Sequence, residues 1–498
     1  MDLSFLWTGF AVALQPNNLV LAFVGCFIGT IIGALPAIGP INGVALLLPV
    51  AYTAKLPPES TLILLAGIYY GSEYGGRISS ILLNVPGDAG AVMTAMDGYP
   101  MARAGRASEA LAISALSSFV GGIISVVALT FFAPLLGLIA IKFGPAEYFA
   151  LMVFAFATLA SMVGHEPVKT LIACIIGLML TTIGIDATSG AYRFTFGEPE
   201  LHDGIEFIIL VVGLFSVTEI LILLEQKHAG TLKPVPVSGG FPTWAEMKSC
   251  WWPTIRSTVS GFIIGVLPGT GASVASAVAY TTEKQLLDKG TFGKGDIRGV
   301  AAPEAANNAA AHGAFVPMLT LGVPGSGTTA VLLGALMLYG IQPGPRMFTE
   351  QPAVVGGLIA SMYIGNLILI VMNLPLIGLF VRMLQVPNTV LVPAILVLSI
   401  LGVYSAYASV FSVLLMLAIG IAGWALRKLG FDMAPILLGF VLGKVLETNL
   451  RNALAISGGN LSVLFESVVS IALWTSAVAI VILPWWLRRR RQVEGAAE

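Results

Sequence analysis

Residues 264–271 read IGVLPGTG, and residues 32–39 read IGALPAIG. Each is a proline break inside an apolar run, and each half of the chain carries one. Proline removes a main-chain donor, and glycine allows φ above zero and close approach. At membrane depth such a break must be buried in protein or line a wet cavity. How these two octapeptides are read therefore decides the fold.

Their surroundings are those of a membrane protein. The 498 residues are 57% hydrophobic and only 10% charged, where a soluble domain carries roughly a quarter charged residues. Apolar runs long enough to span a bilayer recur at 109–141, 148–163, 205–224, 353–381 and 461–487. The alternating strands of a membrane barrel are absent. The formal net charge of −1 says nothing about nucleic acid, and no nucleic-acid partner is expected. Cys26, Cys174 and Cys250 are scattered and read as packing residues, not as a disulfide framework or metal site. Residues 1–18 lack a basic region and a cleavage site, so they read as a retained amphipathic lead-in.

Basic residues set the orientation. The clusters are Arg103/Arg106, Lys227/Lys233/Lys248, Lys284/Lys289/Lys294/Arg298, Arg427/Lys428 and Arg488–Arg491. With all of them cytoplasmic, crossings at 109–141, 145–163, 168–186 and 205–224 return the chain to the 227–248 loop. Segments 386–401, 402–424, 432–446 and 461–487 then end at the basic tail, 488–498. The N-terminus is expected in the periplasm and the C-terminus in the cytoplasm. Residues 257–283 do not fit as a crossing, because Arg256 and Lys284 flank them and Leu267-Pro268-Gly269 breaks them. They read as a re-entrant hairpin, with 19–53, broken at Leu35-Pro36, as the counterpart.

The likeness extends past the hairpins. LLNVPGDAG at 82–90 resembles TLGVPGSG at 320–327. FFAPLLGLIAIKFGP at 131–145 resembles MNLPLIGLFVRMLQVP at 372–387, with Pro134 matching Pro375 and Gly137 matching Gly378. Gly184-Ile-Asp186 resembles Gly430-Phe-Asp432. The shared order predicts an all-α polytopic membrane protein made of two inverted-topology repeats, 19–224 and 257–446. A cytoplasmic linker, 225–256, joins them, and a C-terminal transmembrane helix occupies 447–487. Inverted repeats with broken helices are a plan of secondary transporters, and an elevator-type motion of the hairpin-bearing part is expected.

A helix that restarts after a break offers free N–H groups and a positive dipole end, which suit an anion. The candidate carboxylate cradle is Pro268, Gly269, Thr270, Gly271 and Ser273 with Pro324, Gly325, Ser326 and Thr328. Its first-copy partners are Pro36, Gly39 and Asn42 with Asn84, Pro86 and Gly87. Asn307 and Asn308 add neutral amides, and Tyr69-Tyr70 stand at the matching place. Ionisable residues inside a membrane are costly, so Asp88 and Glu304 are the candidate ion-coupling carboxylates. Glu73 and Arg77, one helical turn apart, are expected to pair structurally, and His312 to pack. There is no HExxH, GxSxG or paired-histidine spacing, so an enzyme is not expected. No cofactor is expected beyond a coupling ion, Na⁺ or H⁺.

These stretches also resemble a known family. GIYYGSEYGGRISSILLNVPGDAG, GIDATSGAYRFTFGEPELHDG, PEAANNAA, GVPGSGTTA and GIQPGP are similar to the large membrane subunit of tripartite tricarboxylate transporters, the TctA family, over about residues 19–485. One departure is Pro36-Ala37, where the family usually has Pro-Gly. The resemblance implies a multi-pass secondary transporter of the bacterial inner membrane. It implies a small four-helix membrane subunit (TctB-like) and a periplasmic solute-binding protein (TctC-like) as partners. A di- or tricarboxylate such as citrate would be the substrate, taken up in symport with Na⁺ or H⁺. The competing reading is a permease or channel-like subunit for another small anionic solute.

Overall fold

The computed structural model describes residues 4–36, 38–162, 166–186, 188–225, 234–384 and 386–494. Ala37, Lys227, Lys233 and the side chains of Arg488–Arg491 lie outside this description. Two helical hairpins organise the molecule. The first joins Pro16–Ala34 to Gly39–Thr53, and the second joins Trp244–Val266 to Gly271–Leu287. Pro16 opens the first at a position where its missing N–H costs nothing. A Thr243/Glu246 capping box opens the second. Both arms end on an extended leucine, Leu35 (φ −73°, ψ 122°) and Leu267 (φ −76°, ψ 126°). Both chains then restart through a left-handed glycine, Gly39 (φ 67°) and Gly271 (φ 66°). The two octapeptides thus share an extended leucine and a left-handed glycine at the restart.

Each hairpin leans on a central helix. Pro58–Leu83 packs against Pro16–Ala34, and Ile297–Gly313 against Trp244–Val266. A methyl group on Gly29 or Gly33 would strike the carbonyls of Ile68 and Ser72, and one on Gly71 or Gly75 those of Cys26 and Thr30. In the second pair Gly261 and Gly265 lie against Ala306 and Ala310. Helices in lipid gain little from hydrophobic burial against each other, so small residues at four-residue spacing bring backbones into dispersion contact. The central helices reach their breaks alike. Asn84 (φ 55°) and Gly322 (φ 67°) are left-handed caps of Pro58–Leu83 and of Phe315–Leu321, which continues Ile297–Gly313. Val92–Met101 and Gly327–Leu338 follow the breaks.

Later elements keep the same order in both halves. Ala107–Ala140, Pro145–Met162 and Pro167–Thr181 precede the helical stretch 207–225. Pro352–Asn373 with Ile377–Met383, then Asn388–Tyr407 and Val410–Lys428, precede Met433–Ile456. Pro134 is accommodated inside Ala107–Ala140, whereas Pro375 sits in the gap between Pro352–Asn373 and Ile377–Met383. The halves exchange partners. Pro58–Leu83 packs on Pro352–Asn373, and Ile297–Gly313 on Ala107–Ala140. Pro167–Thr181 packs on Met433–Ile456, and Val410–Lys428 on the π-helical turn Val212–Val217.

Several sequence boundaries move. One helix runs through residues 401 and 402 and ends at left-handed Ala408, after which Ser409 caps the next. Residue 446 falls inside Met433–Ile456, so no element boundary lies there. The final helix is Val468–Glu494, preceded by the 3-10 turn Leu461–Phe465. The expected linker stops at Thr243. The lead-in forms Ser4–Ala13, whose Gly9 packs on Gly356. Among the described residues, seven helices are long and apolar enough to cross a membrane, Pro16–Ala34 among them.

Candidate functional site

The four breaks meet in pairs at the ends of the central helices. In the second half Gly269 N–H donates to Gly325 O at 3.0 Å, tying the hairpin tip to the VPGSG turn. In the first half Gly39 lies against Asp88 and Gly87 O, and a methyl on Gly87 would strike Gly33 O. The pairs are also joined to each other. Tyr69 and Ser326 hydroxyls are 3.4 Å apart. Gly327 abuts Ile41, and Gly90 abuts the Asn307 side-chain oxygen.

The VPGSG turn launches a well-formed helix N-terminus. Ser326 Oγ accepts from Thr329 N–H at 3.2 Å, and Ser326 N–H donates to Thr329 Oγ1 at 2.8 Å, a reciprocal cap. Among the described residues the main-chain N–H groups of Gly327 and Thr328 donate to no such partner, as expected of a first helical turn. Pro268, Gly269, Pro324 and Gly325 are buried around this point, and Thr328 is buried with them.

Other expected ligands are turned to different tasks. Thr270 Oγ1 donates to Ile264 O at 2.5 Å and to Leu267 O at 3.1 Å, so its hydroxyl closes its own tip. Asn42 Nδ2 bonds back to Ile38 O in its own helix. Asn84 is an exposed helix cap, placed there because asparagine tolerates the left-handed region. Asn308 Nδ2 donates to Glu304 O at 3.1 Å, and its own carbonyl accepts from His312 Nδ1 at 2.7 Å. Ser273 is half-buried without a hydrogen bond, and Pro36 and Pro86 are half-buried.

Glu304 and Asp88 differ sharply. Glu304 is fully buried, and both its oxygens are engaged, by Thr94 Oγ1 at 2.6 Å and Ser118 Oγ at 3.0 Å. Asp88 uses Oδ1 for the Ala91 N–H at 2.8 Å, while Oδ2 has no partner. The expected Glu73–Arg77 pair does not form. Arg77 turns over the Tyr74 ring, 4.7 Å from its centroid, and feels the Glu304 charge only at longer range. Its three guanidinium nitrogens make no hydrogen bond, nor does Glu73 Oε2. Asn307 is buried with both amide atoms unpartnered.

Sequence reasoning missed several contributors. Asp97 Oδ1 accepts the N–H groups of Gly293, Gly295 and Asp296, each at 2.8 Å, and Asp97 Oδ2 accepts Tyr280 Oη–H at 2.8 Å. It pins the 288–296 loop to the first half. Tyr70 stacks on His312 at 5.0 Å, and Asn366 Nδ2 meets His312 Nε2 at 3.3 Å. The glycine spacing at 25, 29 and 33 against 67, 71 and 75 was a readable signal for the central helix pair. Nothing local marked Thr94 and Ser118 as the partners of Glu304.

Comparison with known proteins bears on the family. The model of the tripartite tricarboxylate transporter TctA family matches residues 19–438. A 52.8 kDa protein of Agrobacterium vitis, described as an uncharacterized protein in the TAR-I ttuC' 3' region, is 44% identical over 97% of this chain and 96% of its own. A second A. vitis protein, from the TAR-II ttuC' 3' region, is 47% identical over 45% of this chain and 93% of its own. No solved structure matches. A match running from the first hairpin to the last shared helix leaves one assignment: the chain belongs to the tripartite tricarboxylate transporter TctA family.

Proposed function

We propose that the chain is the large transmembrane subunit of a binding-protein-dependent secondary transporter that takes up di- or tricarboxylates across the bacterial inner membrane. The observation that carries this reading is the meeting of the breaks: Gly269 bonded to Gly325, Gly39 against Asp88, and Tyr69 linking across to Ser326. A carboxylate at the Gly327/Thr328 amides would be held by neutral donors and a helix end, each worth about 0.3–2 kcal/mol. Several such weak holds suit a substrate that must bind and then leave.

The two halves are read as inverted repeats that rock or slide around this point, elevator-fashion. Matching tips, matching left-handed caps and the exchange of packing partners support that plan. The ion pairs support the charge-derived orientation. Arg106 meets Glu246, and Arg427 and Lys428 meet Glu219 and Glu225 at 3.0 and 2.5 Å, joining ends expected in the cytoplasm. Asp186 meets Arg451 at 3.0 Å, joining ends expected in the periplasm. A TctB-like membrane subunit and a TctC-like binding protein are the partners, and Na⁺ or H⁺ drives uptake.

Counterflow tests the reading. Proteoliposomes holding this chain with its small subunit and binding protein are loaded with unlabelled carboxylate and given labelled carboxylate outside. A carrier accumulates label transiently by exchange. Flux indifferent to internal substrate would instead favour a channel-like subunit and overturn the proposal.

A further inference from the structure

We infer that Asp88, Glu73 and Asn307 form a binding site for a monovalent alkali cation of sodium size, a deepening that rests on the transport reading above. Three groups from three segments converge there. Asp88 lies in the first break, Glu73 on Pro58–Leu83 and Asn307 on Ile297–Gly313. Gly90 fixes two of them together, since a methyl there would strike Asn307 Oδ1 and sit 3.1 Å from Asp88 Oδ1. Gly76 packs directly beneath Asp88 Oδ2. Glu73 has Asp88 and Asn307 as polar neighbours.

The unpartnered atoms point to the ligand. Glu73 Oε2, Asp88 Oδ2 and both amide atoms of Asn307 are buried with no hydrogen bond of normal length, although Asn307 stands near enough to Glu73 to act on its charge as a donor. Buried polar groups nearly always find a partner, and these include two carboxylate oxygens and an amide oxygen. An all-oxygen set suits a hard cation. Among the described residues no three His, Cys, Asp or Glu side chains are grouped to hold a metal, so the set is short of the oxygen-rich cage that Ca²⁺ takes. A proton would need no amide oxygen beside the carboxylates. Glu304 is left out of the site, because both its oxygens are taken by Thr94 and Ser118.

Thermal melting of the detergent-purified full chain tests this, with NaCl titrated against choline chloride at constant ionic strength. Binding to the folded state alone raises the melting temperature by mass action. The expected result is a saturable rise with Na⁺. In Asn307→Ala the half-saturating concentration should increase at least about tenfold, while Asn307→Asp, which keeps an oxygen, should still saturate. Equal response to Na⁺ and choline, or an unchanged half-saturating concentration in both Asn307→Ala and Asp88→Asn, would overturn the inference. Counterflow with Na⁺ equal on both sides separates the two proposals. Exchange without a sodium-specific shift rejects the cation site alone. A sodium-specific shift without exchange supports the cation site and rejects the transport reading.

Discussion

The turns VPGDAG at 85–90 and VPGSGT at 323–328 follow left-handed caps at the same place in the two halves, yet they differ at one decisive position. Ser326 folds its hydroxyl onto the N–H of Thr329 and completes a neutral, capped helix start. Asp88, the aligned residue, spends one oxygen on Ala91 and leaves the other free beside Glu73 and Asn307. One backbone motif thus serves opposite electrostatics: the second copy presents donors, the first presents acceptors. On the reading proposed above, the two turns would hold an anion and a cation side by side at a single junction.

The comparison breaks most completely if the close approaches are blocked. Gly87→Val drives a side chain into Gly33 O, and Gly325→Val drives one into Ala314 Cα and Cβ. Both variants should abolish carboxylate uptake while remaining in the membrane, as judged by uptake against membrane abundance. Normal uptake in either would mean that its turn is only a kink.

Asp97 has no aligned acid in the second half, where Ala335 stands. Asp97→Ala leaves three loop N–H groups and the Tyr280 hydroxyl without their acceptor. The expected loss is on the order of 3 kcal/mol, read as a lowered melting temperature in detergent.

Ser326→Ala removes the cap but not the turn. A loss of about 1 kcal/mol should appear as a several-fold weaker apparent affinity for carboxylate, with the response to Na⁺ retained. A variant that lost sodium response and kept carboxylate affinity would reverse the assignment of the two turns.

The smallest effect concerns a second matched pair, Gly184-Ile-Asp186 and Gly430-Phe-Asp432, both entered through a left-handed glycine. The Thr188 N–H and the Arg451 guanidinium hold the Asp186 carboxyl well below the usual range. Burial pushes Asp432 up, with Arg427 opposing. The signs are therefore opposite. Asp186 contributes stability above the ordinary carboxylate value near about 3.9, and that contribution is lost as pH falls below it. Ionised Asp432 is a cost that sets in as pH rises past the carboxylate range. At neutral pH Asp186→Asn should lower the melting temperature and Asp432→Asn should leave it unchanged or raise it, with the two variants converging on the parent in acid.

Composition and the proline-glycine octapeptides by themselves determined the class of this protein, the order of its elements and the position of its breaks. Those features are local, because an apolar run has few alternatives in a bilayer and a Leu-Pro-x-x-Gly tip has few backbone shapes. The left-handed caps at Asn84 and Gly322 were equally local, although asparagine at that place was read as a ligand. Tertiary structure decided which polar side chains stay free. Glu304 is satisfied because Thr94 and Ser118 arrive from helices far away in sequence, and Glu73 Oε2 is left open with Arg77 lying over Tyr74 instead of pairing with it. A carboxylate's role depends on what faces it across the packed helices, and neither its identity nor its spacing along the chain carries that information.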